Sequence, residues 1–157
     1  MIHPKGLIVA AIASVVLTAC SDTTSPRQLT RDGLSSESPR SGTFRVEKAC
    51  PTYTGAAGDI CTITSSTLAE IEPGSTIRYA TNAAGASLDT DVRLDLPGPG
   101  NNAAFGHCTI DLSTGSGACV LSGGTGKFTW FHAQVDVTPL GGTDFAWIGS
   151  YRFSPGN

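Results

Sequence analysis

Apolar and polar residues alternate along much of the chain. In the segment 91–96, Val92, Leu94 and Leu96 alternate with charged residues, and in the segment 131–137 every second residue is apolar. Successive side chains of a β-strand point to opposite faces of the sheet, so this period of two predicts strands that bury one face.

Clusters of Gly, Pro, Asn and Ser interrupt the alternation, and such clusters are typical of tight turns. They lie at 55–58, 73–74, 82–85, 97–101, 114–117, 123–126 and 139–142. These turns separate eight predicted strands, at about 43–50, 60–71, 75–81, 91–96, 104–112, 118–122, 127–138 and 144–153. Short connections favour an antiparallel meander, and a barrel of such strands has no exposed edge. The pattern predicts an all-β fold, an eight-stranded antiparallel up-and-down barrel, with a two-sheet β-sandwich as the alternative.

The first residues of the chain follow a different pattern. Lys5 precedes an uncharged apolar run over residues 7–17, which is 11 residues long. A helix needs about 20 apolar residues to cross the hydrocarbon core of a membrane, so the run is typical of a cleaved export signal. It ends in Leu17-Thr18-Ala19-Cys20, which resembles the lipobox of bacterial lipoproteins.

This resemblance implies that residues 1–19 are a signal peptide and that the sulfur of Cys20 carries acyl chains that hold the protein at a membrane. Ser21 stands where some lipoproteins have the Asp that retains them at the inner membrane, so an outer-membrane location in the bacterial cell envelope is favoured. An ordinary signal peptide followed by a chance cysteine is the alternative.

Residues 20–42 form the predicted tether between the lipid anchor and the barrel. The segment is rich in Ser, Thr, Pro and Arg and almost lacks large apolar side chains, so it cannot bury enough surface to offset the entropy of ordering. About 22 flexible residues have a root-mean-square reach on the order of 25 Å. Residues 43–157 remain for a single barrel domain.

Four cysteines lie in the predicted barrel on apolar strand faces: Cys50, Cys61, Cys108 and Cys119. An even number in an exported chain suggests two disulfides, for which three connectivities are possible. Because the first two bracket one predicted turn and the last two another, we expect Cys50–Cys61 and Cys108–Cys119. Loops this short add about 2–3 kcal/mol each by the chain-entropy treatment. A zinc site is the alternative, although close C-x2-C spacing is lacking.

The charge of the chain bears on its partners. It contains 10 Lys and Arg and 13 Asp and Glu; residues 1–19 contribute Lys5 alone, which leaves nine basic residues and a net charge of −4. An acidic chain without a basic patch is not suited to nucleic acid. The expected partners are the membrane, through the lipid anchor, and a small apolar ligand.

The second half of the chain carries a further resemblance. The segment Leu121-Ser-Gly-Gly-Thr-Gly-Lys-Phe128 is similar to the GGTGKF stretch of dirigent proteins and, more loosely, of allene oxide cyclases, and Gly149-Ser-Tyr151 matches a Gly-x-Tyr in their final strand. The resemblance covers residues 104–153 and implies an eight-stranded barrel, as in bacterial lipoproteins with a barrel of this type. His132 stands where many dirigent proteins have Arg, so no catalytic residue is carried over.

Motifs for catalysis are weak. The Gly-Lys at 126–127 lacks the other residues of a phosphate-binding loop, and a Gly-x-Ser-x-Gly elbow is missing. No catalytic residue, metal ligand or cofactor is predicted. Trp130, His132 and Tyr151 are candidate ligand-binding residues on the last two predicted strands.

The function expected from the sequence is non-catalytic binding of a small apolar ligand or a surface partner. A cyclase- or isomerase-like enzyme that positions its substrate is one alternative. A structural envelope lipoprotein with a filled barrel is the other. Whether the protein is an enzyme stays open at this point.

Overall fold

The computed structural model of the protein describes residues 40–155. Within them eight strands form a closed barrel in which each strand is antiparallel to the next and the last pairs with the first. The strands are β1 (Arg40–Ala49), β2 (Ile60–Ser66), β3 (Thr76–Tyr79), β4 (Ser87–Asp95), β5 (Ala103–Asp111), β6 (Ser116–Thr125), β7 (Phe131–Gly141) and β8 (Asp144–Phe153). The predicted all-β, up-and-down barrel is confirmed, and the β-sandwich is excluded.

The predicted signal peptide over residues 1–19, the predicted lipidation at Cys20 and the predicted tether as far as residue 39 lie outside the described residues. β1 begins at Arg40, so residues 40–42, which were assigned to the tether, belong to the first strand. Among the described residues, no helix has the length and apolar character that crossing a membrane requires.

Several strand boundaries differ from those predicted: β1 and β4 begin earlier, at Arg40 and Ser87, and β7 begins later, at Phe131. β2 ends at Ser66 because Leu68 and Ile71 leave the sheet and become buried. β6 continues through the glycines that were predicted to form a turn, and the turn follows in a short 3-10 helix, Gly126–Phe128. Gly124 is needed for close packing rather than for turning, since a Cβ there would overlap the carbonyl oxygen of Ala103.

The alternation of the sequence places one side-chain face of every strand in the barrel interior. The predicted apolar face of β7 is buried, and so is Trp147 of β8. The largest fully buried side chains are Trp147, Lys48, Phe128, Phe131, Ile63, Ile71, Ile77, Leu88, Leu94, Leu121, Val46 and Thr90. The barrel is therefore a packed core over most of its length, as expected for eight strands.

Both predicted disulfides are confirmed. Cys50 and Cys61 join the end of β1 to β2 with a Cα–Cα distance of 4.3 Å, and Cys108 and Cys119 join β5 to β6 with 4.1 Å. Cys108 and Cys119 are direct cross-strand partners. All four side chains lie in the core, so the two bonds connect neighbouring strands from inside the barrel.

The two ends of the barrel are finished differently. At the end where β1 begins, here called the closed end, an aromatic plug fills the interior: Phe44, Phe128, Phe131, Tyr151 and Phe153. Leu68 and Ile71 from the β2–β3 connection are buried with it. At the opposite end, here called the open end, the loops that follow β1, β3, β5 and β7 surround a cavity.

Candidate functional site

The cavity at the open end has a volume of about 350 Å³ and is half open to solvent. Its walls are mainly apolar and come from Leu88, Ile110, Leu112, Val137 and Phe145, with the Cys50–Cys61 disulfide on one side. A concave site lined by apolar groups with a few polar ones is the usual form of a small-molecule site.

The strand β1 contributes one ionisable side chain to the cavity wall, that of Lys48. It lies between Val46 and Cys50 on the inward face of β1, and its side chain is 2% exposed. The pairing of β1 with β2 shifts register between Glu47 and Lys48, because Thr64 of β2 has no opposite residue. Bulges of this kind occur next to functional sites, where they redirect a side chain.

The amine of Lys48 contacts two aromatic side chains, Tyr79 and Trp147, and Tyr53 packs against Tyr79. We call these four residues the mouth cluster. Lys48 Nζ donates a hydrogen bond to Tyr79 Oη over 2.6 Å and lies 4.6 Å from the centre of the Trp147 ring. The Tyr53 ring meets the Tyr79 ring edge-on, with 5.4 Å between centroids. The cluster therefore combines an amine, two phenol groups and an indole.

Burial controls the ionisation of the mouth cluster. Desolvation lowers the pKa of Lys48 from 10.5 to about 7, and no Asp or Glu lines the cavity among the described residues. Desolvation also raises the pKa of Tyr79 and, with the nearby charge of Asp59, that of Tyr53. At neutral pH the site thus holds protonated phenols and an amine that is close to its midpoint of titration.

Two polar atoms in the cluster have no hydrogen-bond partner among the described residues. They are Tyr53 Oη and Trp147 Nε1, and both atoms are buried. A buried donor without a partner costs about 1–3 kcal/mol, and such groups in native proteins mark places with a specific role. Tyr53 is among the residues that line the cavity.

A network of backbone hydrogen bonds fixes the loop that carries Tyr53. Asp59 Oδ2 accepts hydrogen bonds from Thr54 N at 2.6 Å and Ala56 N at 3.1 Å, and these bonds lower the pKa of the Asp59 carboxyl, with Thr54 as the main cause. Ala83 N of the β3–β4 loop donates to Gly55 O at 2.7 Å. The rim of the cavity is therefore built before a ligand arrives.

The structure places the three candidate residues from the sequence away from this cavity. Trp130 is 54% exposed in the turn before β7 at the closed end, where it has a φ of 65°. His132 lies partly exposed on β7. Tyr151 packs edge-on against Phe44 in the aromatic plug. His132 and Tyr151 both border a shallow groove on the barrel wall, whereas Trp130 does not. Their role in binding stays a prediction.

The residues of the mouth cluster were missed because their chemistry is unlike that of their neighbours. Lys48 shares the parity of Phe44, Val46 and Cys50, and strict alternation would have placed its amine inside the barrel. The ordinary expectation that lysine lies at the surface hides this signal. Tyr79 lies two residues after Ile77 on β3, on the same buried face, and could have been found in the same way.

A second group of ionisable side chains lies on the outer wall of the barrel. His107 bridges Asp89 and Asp91, with Nε2–Oδ1 and Nδ1–Oδ1 distances of 2.5 Å and 2.9 Å. The hydrogen bond to the Asp91 carboxylate is the main cause that raises the pKa of His107. All three side chains are exposed. Within residues 40–155, no group of three or more His, Cys, Asp or Glu is arranged to hold a metal ion.

Comparisons with three sets of known proteins identified no relative of this chain. Neither the family models, nor the curated proteins, nor the solved structures gave a match to the chain at the significance required. The geometry of the barrel and of its open end therefore carries the functional argument.

Proposed function

We propose that the protein binds a small, mainly apolar molecule in the open end of the barrel, with an oxygen atom of that molecule at Lys48 and Tyr79. The observation that carries the proposal is the cavity of about 350 Å³, which has Lys48, Tyr53 and Tyr79 of the mouth cluster on its wall. This volume lies within the range of roughly 300–1,000 Å³ that is usual for ligand pockets.

The distribution of polarity in the cavity supports an amphipathic ligand. Apolar side chains such as Leu88, Ile110 and Val137 contribute most of the wall, and removal of apolar surface from water favours binding by roughly 25 cal/mol per Å². Lys48 Nζ and Tyr79 Oη supply hydrogen-bond donors at one place. A ligand oxygen there would use N–H groups that the protein leaves free.

The proposal includes the predicted lipid anchor. We propose that Cys20 is acylated and holds the protein in the bacterial cell envelope, at the outer membrane. Because β1 begins at the closed end, a tether that precedes Arg40 is attached to that end. The mouth of the cavity lies at the opposite end of the strands from Arg40.

An enzyme of the cyclase or isomerase type is the second candidate. The pair of Lys48 Nζ and Tyr79 Oη, 2.6 Å apart in an apolar cavity, favours it, because an amine and a phenol can exchange protons with a bound substrate. The resemblance of residues 104–153 to dirigent proteins and allene oxide cyclases points in the same direction. A ligand that is recovered chemically unchanged after long incubation with the protein would contradict this candidate.

Binding can be tested by isothermal titration of the full chain in lipid nanodiscs, with empty nanodiscs as the blank. Octan-1-ol, octanal and octanoate serve as ligands of one chain length. We expect saturable binding of at least one of them. Ala83→Trp fills the rim of the cavity and should weaken binding by at least about tenfold.

The matched control is Ala118→Trp, which adds the same side chain at an exposed position of β6. This variant should bind as the parent does. Heats equal to those of empty nanodiscs for all three ligands, or equal losses in both variants, would contradict a site in the cavity.

A further inference from the structure

We propose that Lys48 is a nucleophile that captures an aldehyde or ketone ligand as a reversible imine, so that the bound molecule is joined covalently to β1. The inference rests on the proposed function, because it concerns the same cavity. It goes further by assigning the chemical class of the ligand and the bond that holds it.

The first observation is the mismatch between donors and acceptors around the amine. An ammonium group has three N–H donors, and Lys48 Nζ has one acceptor among the described residues, Tyr79 Oη at 2.6 Å. Among the described residues no Asp or Glu lines the cavity. The ionisable groups next to the amine are Tyr79 and Tyr53, and the Asp59 carboxylate lies near Tyr53 in the rim loop. The surroundings therefore favour the neutral amine, which has fewer donors to satisfy.

The aromatic rings partly offset this preference. Lys48 Nζ lies 4.6 Å from the centroid of the Trp147 ring and 5.3 Å from that of Tyr79, and such contacts stabilise a cation. Desolvation nevertheless lowers the pKa of Lys48 to about 7. Close to neutral pH a large fraction of the amine is unprotonated, whereas an exposed lysine is almost completely protonated.

The chemistry is complete with the groups in the cavity. The neutral amine keeps its lone pair while one N–H points to Tyr79 Oη, and the lone pair attacks the carbonyl carbon as the C–O π electrons move to oxygen. A proton passes from nitrogen to that oxygen and gives a carbinolamine. The hydroxyl group then leaves together with the second nitrogen proton as one molecule of water, and the nitrogen lone pair forms the C=N bond. One water is released and no electrons are exchanged with another molecule.

The same features argue against a carboxylate as the preferred ligand head. A carboxylate would hold Lys48 in its ammonium form, and it would bring a second charge into an apolar cavity, where each ion loses its hydration. A carbonyl group enters uncharged. Lysines made nucleophilic by desolvation in an apolar pocket are a recognised means of forming imines with carbonyl compounds.

The test is reductive trapping of the full chain in lipid nanodiscs with octanal and sodium cyanoborohydride, followed by peptide mass spectrometry. The chain contains three lysines, Lys5, Lys48 and Lys127, so the position of an octyl group is read directly. We expect preferential labelling of Lys48, with a rate that rises through pH 7. Lys48→Met should remove this label, and Lys127→Met, which changes an exposed lysine at the closed end, should leave it in place.

Two results separate the failure of this inference from the failure of the proposed function. If octan-1-ol and octanal bind in the titrations but Lys48 is labelled no faster than Lys127, the covalent step is wrong and the binding site stands. If none of the three ligands binds and Lys48 is not labelled, both proposals are overturned. Labelling of Lys48 that excess octan-1-ol suppresses supports both.

Discussion

The closed and open ends of the barrel are made by the same eight strands but bury different chemistry. At the closed end, Phe128 and Phe131 have ring centroids 5.2 Å apart, and both side chains are fully buried. At the open end, the amine of Lys48 and the phenol of Tyr79 occupy inward strand positions, and the phenol of Tyr53 comes from the β1–β2 loop beside the cavity. Apolar packing stabilises the first end, whereas the second retains polar groups that cost stability.

The difference teaches that an unfavourable burial in an otherwise well-packed domain is informative about function. Strand alternation alone does not require a lysine between Val46 and Cys50, and an apolar side chain would satisfy the barrel. The aromatic plug supplies stability that can offset such a residue, since core aromatic rings bury a large area and gain from edge contacts. The following predictions test this division between the two ends.

The largest effect is expected from the plug. Phe131→Ala should lower the free energy of unfolding by about 3–5 kcal/mol, because it leaves a cavity between Phe128 and Phe153. Tyr53→Ala at the open end should cost about 1 kcal/mol or less, since Tyr53 is only half-buried. Urea unfolding of the full chain measures both. Similar losses in the two variants would contradict the proposed division.

Removal of either disulfide should have an intermediate effect on the free energy of unfolding, and the two bonds can be compared directly. Both have a sequence separation of 11, so the chain-entropy treatment gives each about 3 kcal/mol. The double variants Cys50→Ala/Cys61→Ala and Cys108→Ala/Cys119→Ala should therefore be destabilised to a similar degree. Only the first should weaken ligand binding, because this disulfide lines the cavity. Equal effects on binding would indicate that the open end is not the site.

Lys48→Met should stabilise the protein by about 1–3 kcal/mol at pH 7, because it removes a buried amine. The loss of the hydrogen bond from Lys48 Nζ to Tyr79 Oη offsets part of this gain. The dependence on pH gives a sharper test. Between about pH 7 and pH 10 the unfolded chain keeps a proton on Lys48 that the folded protein has lost, so the free energy of unfolding rises with pH.

Above pH 10 the raised pKa values of Tyr53 and Tyr79 reverse the trend, since the folded protein then holds the extra protons. Unfolding measured at several pH values should show the rise in the parent chain and its loss in Lys48→Met. A rise that persists in the variant would show that another group causes it.

The smallest effect is expected at the rim. Asp59→Asn should weaken the hydrogen bonds to Thr54 N and Ala56 N, which loosens the loop that carries Tyr53. Because the pKa of Asp59 is lowered in the folded protein, its contribution is present above about pH 4 and is lost as the pH falls further. Hydrogen exchange of residues 54–56 should increase in the variant, while exchange in the plug stays unchanged.

The sequence was sufficient for the barrel because its information is local and periodic. Alternation defined the inward face of β7, and the spacing of Cys108 and Cys119 around a turn identified their pairing before any coordinates. The strand ends were harder, since Leu68 and Ile71 look like strand residues but serve to cover the closed end. That role depends on contacts with distant strands, which a local pattern does not contain.

The candidate site was harder still to predict because it requires the barrel to be closed first. Lys48, Tyr79 and Tyr53 come from β1, β3 and a loop, and their convergence follows from the order of strands round the barrel. Trp130 and His132 attracted attention as aromatic and titratable residues in one segment, yet they lie at the closed end and on the wall. Residue type alone did not show which end of the barrel was hollow.

The seam between β1 and β8 has a consequence for how the molecule is made. Arg40 is registered with Phe153, so the pairing that shuts the cylinder links the first described strand to the last. During synthesis from the N-terminus, β1 has no partner on that side until almost the whole chain has emerged, and closing so long a stretch of polypeptide is slow. Until then its free edge is a target for other strands, so a nascent or truncated chain that lacks β8 is the form most exposed to aggregation.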